Sequence, residues 1–496
     1  MSEHVAKNTL YLTAASIGQK VLAFAYFLLL ARVMKPEGTG AYFLALSLTG
    51  LFSVVTDFGV TSVLIRDIAK DPAQAVRLLR QGIGLKIPLC VIAVLFTFIA
   101  SFAFGFDETV RLLVWLACLV MIADAFSLLF YGILRGFHLL KYESFGIFIG
   151  QCITLCLGGV ALIFFPSLWL LVFVLLCGSI FNMIFSATRV AERIGWRAFF
   201  PQFDVGARRL FWTAIPFALA GIFTKVYSSA DAIILAFFSG TTAVGVYSVA
   251  YKFTYAFQFL PMAFVAALYP GMSAVAGKPA CQSDGDRAKL SELLNEGFWY
   301  LALLAAPIVF GLWAIAPDAV LLAGDAYRHA APVLEVLVFA LIPLFLDFPI
   351  GSLLNAVGRQ KTKTVIVAVT MIVNIVANII LIPIFESMGA AISALVSFSF
   401  LFLAGLWQVR YAIPGYVYRD FFRHVLPVLL SGIVMGLCTK FFRPFVGFSA
   451  SIPLATFVYG GMLMLTGALR REHLQKAFRL LKQEEHPYAG HPSLDA

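Results

Sequence analysis

Charge is what this chain has least of. Only 12% of its 496 residues are charged, about half the share of a water-soluble domain. Apolar residues make up 61%, phenylalanine alone numbers 49, and mean hydropathy is +0.92. Such a chain reads as an integral membrane protein rather than one solvated globule. Cysteine is sparse as well. There are seven, all but Cys281 in apolar runs, with no CxxC and no Cys/His cluster. That pattern offers neither a disulfide framework nor a metal site. No G-x-x-x-x-G-K-[ST] occurs, which excludes ATP binding by a P-loop. No long loop carries the paired carboxylates of glycosyl chemistry.

What is present is a series of apolar runs, each about 20 residues long, the length that crosses a bilayer as a helix. They fall near 9–33, 40–65, 84–105, 110–134, 144–165, 168–189, 210–238, 242–273, 293–316, 330–356, 364–384, 389–410, 421–442 and 451–469. The expectation is an all-α polytopic membrane protein with fourteen transmembrane helices and short connections. The first run follows "MSEHVAKN" directly and, at roughly 25 residues, is too long for a cleavable signal.

The net charge of +10 follows the loops. With the N-terminus inside, 27 of the 36 Lys and Arg fall in cytoplasmic segments and six outside. Cytoplasmic loops carry such an excess. Both termini are therefore expected in the cytoplasm, and nucleic acid is not an expected partner. Two basic stretches have an apolar stripe: "RDIAKDPAQAVRLLRQ", with Asp71 as a helix cap and Pro72 following it, and the tail "RREHLQKAFRLLKQ". Each reads as a helix at the anionic inner leaflet.

Sliding the sequence by 205 positions brings Lys20 onto Lys225, and Gly40, Tyr42 and Ala45 onto Gly245, Tyr247 and Ala250. At an offset of 220, Leu134 and Lys141 meet Leu354 and Lys361. Helices 1–6 and 7–12 thus read as two copies. Six is even, so both start on the same side: a parallel repeat of two six-helix lobes plus two extra C-terminal helices. The domains expected are 1–205, 206–411, 412–470 and a basic amphipathic tail, 471–496.

Three of the 36 cations belong to no loop: Lys20, Lys225 and Lys252. Each lies too deep to snorkel and costs roughly 2.5–3.5 kcal/mol to insert. Asp57, Asp124, Asp231 and Asp347 are also inside spans. Three readings are open at this point: the lysines neutralise these aspartates, or line a cavity for an anionic substrate, or the charges serve coupling-ion chemistry. Lys225 and Asp231, six apart, are not an intrahelical pair. Gln19, Gln258, Asn374 and Asn378 are the expected polar cavity lining, though interhelical hydrogen bonding accounts for such residues equally well.

With these features placed, the chain resembles the oligosaccharide flippases of the MOP superfamily, and among them the bacterial O-antigen and capsule-repeat flippases. "LARVMKPEGTGAYFLA", "TDFGV", "RGFHLLKYES", "FDVGARRLFWTAIPFALAGIFTKV", "VGVYSVAYKF", "LNAVGRQKTK" and "NIVANIILIPIFESMGAAISALVS" carry the resemblance, in that order. It implies a multidrug-exporter-like fold in the bacterial cytoplasmic (inner) membrane. It implies translocation of an undecaprenyl-pyrophosphate-linked oligosaccharide to the outer leaflet, with Lys20, Lys225 and Lys252 at the pyrophosphate. Helix 2 departs from the family pattern, offering Asp57 where a cation is usual. No cofactor is implied; Na⁺, H⁺ or the membrane potential are the alternatives for drive. A glycan polymerase and a chain-length regulator are the protein partners implied beside the bilayer. The rivals are a cation-coupled multidrug antiporter of the same fold and a membrane glycan polymerase or glycosyltransferase.

Overall fold

In a bilayer every backbone amide must be satisfied within the protein, which turns long apolar runs into helices. The computed structural model describes residues 2–276 and 284–469, and it is helical nearly throughout. Cys281, Lys278 and the basic tail from Arg470 onward lie outside the described residues. The helices are α1 (Ser2–Asp57), α2 (Val60–Lys70), α3 (Ala75–Ala103), α4 (Glu108–Gly136), α5 (Leu140–Phe164), α6 (Leu168–Ile194) and α7 (Val205–Tyr255). They continue as α8 (Phe259–Ala276), α9 (Asp284–Leu321), α10 (Ala330–Leu337), α11 (Leu341–Ala356), α12 (Gln360–Ala412) and α13 (Tyr418–Leu465). Among the described residues, ten helical stretches are long and apolar enough to cross a membrane.

Four of the ten contain one residue off the helical backbone: Lys35 in α1, Gly240 in α7, Glu386 in α12 and Gly447 in α13. Each is a one-residue hairpin corner, and dividing the ten stretches there yields fourteen segments. Lys35 (φ 58°, ψ 179°) and Gly240 (φ 76°, ψ −179°) share one backbone conformation and stand 205 positions apart in the sequence. A second match occurs at the offset of 220. α4 ends with the Leu139 N–H bonded to the Leu134 carbonyl at 2.8 Å, and α11 ends with Arg359 bonded to Leu354 at 2.7 Å. These are Schellman turns. Their left-handed residues are His138 (φ 60°) and Gly358 (φ 77°), which the same offset superposes.

α1 packs most extensively on α7. At the Lys35/Gly240 end the two backbones nearly touch. A Cβ on Gly40 would sit 1.7 Å from the Thr241 carbonyl oxygen, and one on Gly245 would sit 1.9 Å from that of Pro36. The repeated G-x-Y of the sequence is this reciprocal contact, which only glycine permits. Tyr327 fastens the same end, its hydroxyl donating to Thr39 Oγ1 at 2.8 Å and to the Ala31 carbonyl at 3.3 Å.

Two expectations need correction. The second span does not run unbroken through 40–65: Phe58 and Gly59 take positive φ and end α1, and α2 starts afresh at Val60. Phe58 then stacks on Phe211 of α7, rings 4.9 Å apart. Nor is "RDIAKDPAQAVRLLRQ" a separate surface helix. It comprises the end of α2, a corner at Asp71, and the start of α3. The corner forms as the residue types dictate, with the Asp71 carboxylate accepting from the Ala73 N–H at 3.1 Å ahead of the helix. Asp204 caps α7 in the same way. The Ala207 N–H holds its carboxyl below the usual carboxylate range, with Gln81 adding to the effect.

Candidate functional site

Lys20 and Lys225 each precede their corner residue by fifteen positions, about 22 Å along a helix, and Lys252 follows Gly240 by twelve, about 18 Å. The three ammonium groups thus occupy similar depths. Among the described residues none of them forms a salt bridge. Lys20 is exposed and Lys252 half-buried. Lys252 Nζ lies over the rings of Phe27 at 5.4 Å and Phe43 at 5.9 Å, a cation–π setting contributed by α1. Lys20 is its like-charged neighbour.

Lys225 lines a cavity of about 730 Å³ formed by α1, α4 and α7, opposite Asp57 and Asp124. A second space of about 440 Å³ adjoins it and shares Leu46, Val120, Asp124 and Leu128. Gln19, Gln151, Asn182 and several hydroxyls line that second space. Gln19 is thus placed on a cavity wall. Tyr131 donates to Asn182 Oδ1 at 2.9 Å along one wall.

The four aspartates do not neutralise the three lysines. Asp57 accepts from Lys86 Nζ at 2.8 Å, and also from Thr61 Oγ1. Asp347 receives Lys363 Nζ at 2.6 Å on both oxygens. Asp231 is held by neutral donors: Asn378 Nδ2 at 2.7 Å, Asn374 Nδ2 at 3.1 Å and the Tyr247 hydroxyl at 2.9 Å. Asp124 stands on the wall shared by the two cavities, beside Ser179. Asn374 and Asn378 are correspondingly not cavity-lining. They are 1% and 0% exposed because they spend their amides on Asp231. Gln258 sits in the turn that separates α7 from α8, its N–H bonded to the Tyr255 carbonyl, and lines neither cavity. The offset of 205 sheds light on Asp231. It superposes Asp231 on Tyr26 and Tyr247 on Tyr42; where Tyr247 donates to Asp231 at 2.9 Å, the buried Tyr26 hydroxyl has no hydrogen-bond partner among the described residues.

By sequence Lys86 and Lys363 count as loop cations, yet they neutralise two of the membrane aspartates, Asp57 and Asp347. Lys86 offered a signal, being a lone lysine with apolar residues on both sides in "GIGLKIPLC". Lys363 offered none, because it is the last of three cations in a loop. The pair Arg135–Glu143 spans the α4–α5 turn, and the offset of 220 places Glu143 on Lys363. Both turns thus carry an ion pair, partly exposed at Arg135, with a carboxylate in one copy where the other has a lysine.

Residues 5–275 match the family described as polysaccharide biosynthesis protein, and residues 216–380 match the MatE family. The probable low-salt glycan biosynthesis flippase Agl15 of Haloferax volcanii is 23% identical over 474 residues, covering 93% of this chain and 95% of its own. The probable multidrug resistance protein NorM of Oceanobacillus iheyensis is 25% identical over 174 residues, 32% of this chain and 38% of its own. Among solved structures, the lipid II flippase MurJ in an inward closed conformation superposes with a TM-score of 0.74 at 14% identity, covering 94% of this chain and 99% of its own. The apolar helices make this a multi-pass membrane protein, and the flippase relatives together with the fold support a transporter rather than an enzyme, which sets aside the glycosyltransferase rival. The chain belongs to the polysaccharide biosynthesis protein family.

Proposed function

We propose that this protein is a flippase moving an undecaprenyl-pyrophosphate-linked oligosaccharide, of repeat-unit size, from the cytoplasmic to the outer leaflet of the cytoplasmic membrane by alternating access. In this reading the fourteen segments are fourteen crossings with both termini cytoplasmic. Residues 1–205 and 206–411 are two six-helix halves, and 412–470 supply two further helices. The shared corner at Lys35 and Gly240 and the shared turn at His138 and Gly358 support the two halves.

One observation carries the reading: three membrane lysines at similar depth keep their charge free of protein carboxylates while the aspartates find other partners. An unpaired ammonium at that depth requires an anion or water, and a pyrophosphate supplies the anion. The amides and hydroxyls of the adjoining space suit a carbohydrate. An inside-negative potential assists outward movement of an anion by about 2.3 kcal/mol per charge per 100 mV. If an ion is coupled, Asp124 and Asp231 are its candidate sites, since Asp57 and Asp347 already hold lysines. A polymerase and a chain-length regulator would act on the exported glycan.

The test is the Lys20→Ala/Lys225→Ala double variant in a strain whose surface glycan depends on this protein. Loss of surface glycan with normal membrane insertion is expected; wild-type export would sink the assignment. A second reading, cation-coupled multidrug antiport, is favoured by Asp124 and Asp57 on the wall facing Lys225 and by the partial likeness to NorM. It predicts drug resistance in an exporter-deficient host, where the flippase reading predicts none.

A further inference from the structure

At the end of α2 remote from Lys35 lies a separate pocket of about 510 Å³. Its floor is apolar, made by the buried side chains of Val63, Leu78 and Leu210. Its rim is cationic: Arg66 and Lys70 from α2, Arg77 from α3 and Arg209 from α7. The one carboxylate on that rim, Asp67, is bound to Arg66 at 2.7 Å. Arg77 donates to the Gln74 side chain at 2.6 Å, a neutral group. Lys70 and Arg209 form no salt bridge among the described residues. Gln81, beside them, is committed to Asp204 at 3.0 Å. The rim thus carries a net excess of three positive charges above a small apolar base of Val63, Leu78 and Leu210.

Four cations from α2, α3 and α7 line this pocket; against them stand Asp67 in its lining and Asp71 and Asp204 just behind it, bonded to Gln74 and Gln81, which leaves an excess of positive charge. A basic pocket between membrane helices at the level of the headgroups fits a lipid phosphate, and each such cation strengthens binding about fivefold. A floor of valine and leucine fits the glycerol and first methylenes of a lipid better than a fully hydrated ion. We propose that this pocket is a binding site for a phosphate-bearing lipid headgroup, of the phosphatidylglycerol class, from the leaflet on its own side. The occupant ties α2 and α3 to the start of α7, because cations from all three helices converge on one phosphate. That the leaflet is the cytoplasmic one rests on the orientation proposed above; the binding itself does not.

The experiment uses the full-length purified protein in two settings. In the first it is placed in nanodiscs of phosphatidylcholine with or without phosphatidylglycerol, and retained lipid is counted by native mass spectrometry. In the second, inorganic pyrophosphate is added to phosphatidylcholine nanodiscs and binding is read calorimetrically. Retention of phosphatidylglycerol, lowered about fivefold by Lys70→Gln and by Arg209→Gln and further in the double variant, is the expected result. Both residues are exposed, so each single variant folds and the series remains readable. Pyrophosphate binding with the same variant dependence and no lipid retention keeps the phosphate site but makes its source soluble. Lipid retention unchanged in both single variants, or equal for phosphatidylcholine and phosphatidylglycerol, overturns the proposal. Neither outcome depends on whether the protein flips a glycan.

Discussion

A lysine ammonium shut away from solvent needs a carboxylate, and Lys86, with 0% of its side chain accessible, has Asp57 at 2.8 Å. Breaking a buried pair from one side leaves the other charge stranded. Asp57→Asn is expected to destabilise the protein by roughly 3 kcal/mol, the low end for a buried pair, because Asp57 opens onto the cavity. Adding Lys86→Met to that variant should recover most of the loss. The midpoint of thermal unfolding in detergent checks both, and a double variant no better than Asp57→Asn would show that the pair is not a unit. This is also where the sequence was least informative. Composition and depth marked Asp57, Asp231 and Asp347 as costly, but depth says nothing about which way a side chain points. The partners came from across the bundle: Lys86 from α3, and Asn374 with Asn378 from α12. Long-range pairing of this kind leaves no local pattern.

At the scale of elements, the corners and turns decide where the charges end up. Gly358 takes φ 77° and His138 takes φ 60° in matching Schellman turns. Gly358→Ala should cost about 1 kcal/mol, the penalty of a left-handed residue with a Cβ. His138→Gly should change stability by less, since relief of strain is offset by added freedom in the unfolded chain. Unfolding midpoints of the two variants, measured side by side, report this asymmetry; equal and opposite shifts would contradict it. Gly245→Ala is a harsher test of the contact between α1 and α7. Its Cβ has no room against the Pro36 carbonyl, so the backbones must part, at a cost of roughly 1–3 kcal/mol, read as a lower unfolding midpoint. The repeat that pairs Gly40 with Gly245 was legible because glycine and tyrosine recur in one register. The breaks at Phe58–Gly59 and at residues 256–258 were not, since both fall inside apolar runs where hydropathy does not change.

For the whole molecule, hydropathy located the long helical stretches among the described residues but not α2 as a helix of its own; the bilayer leaves a long apolar run no alternative to helix. Ten long stretches stand where fourteen runs were read, and four of the ten turn at a single residue off the helical backbone. The uneven distribution of Lys and Arg is the basis of the orientation proposed above, and the same excess supplies the basic pocket at the end of α2. What unites these features is the position of the lysines: Lys20 and Lys252 sit near one another, and Lys225 sits on a polar cavity, with no carboxylate bound to any of them among the described residues.

The central claim is that these ammonium groups receive the phosphates of a lipid-linked glycan. Its most direct measurement is translocation in proteoliposomes that hold an undecaprenyl-pyrophosphate-linked oligosaccharide, with the glycan's arrival in the opposite leaflet read by an impermeant lectin. Wild type and Lys225→Arg are expected to translocate, the latter at a reduced rate, while Lys225→Met and Lys20→Met/Lys225→Met lose most of the rate and remain folded. Translocation by the double methionine variant at the wild-type rate would contradict the claim.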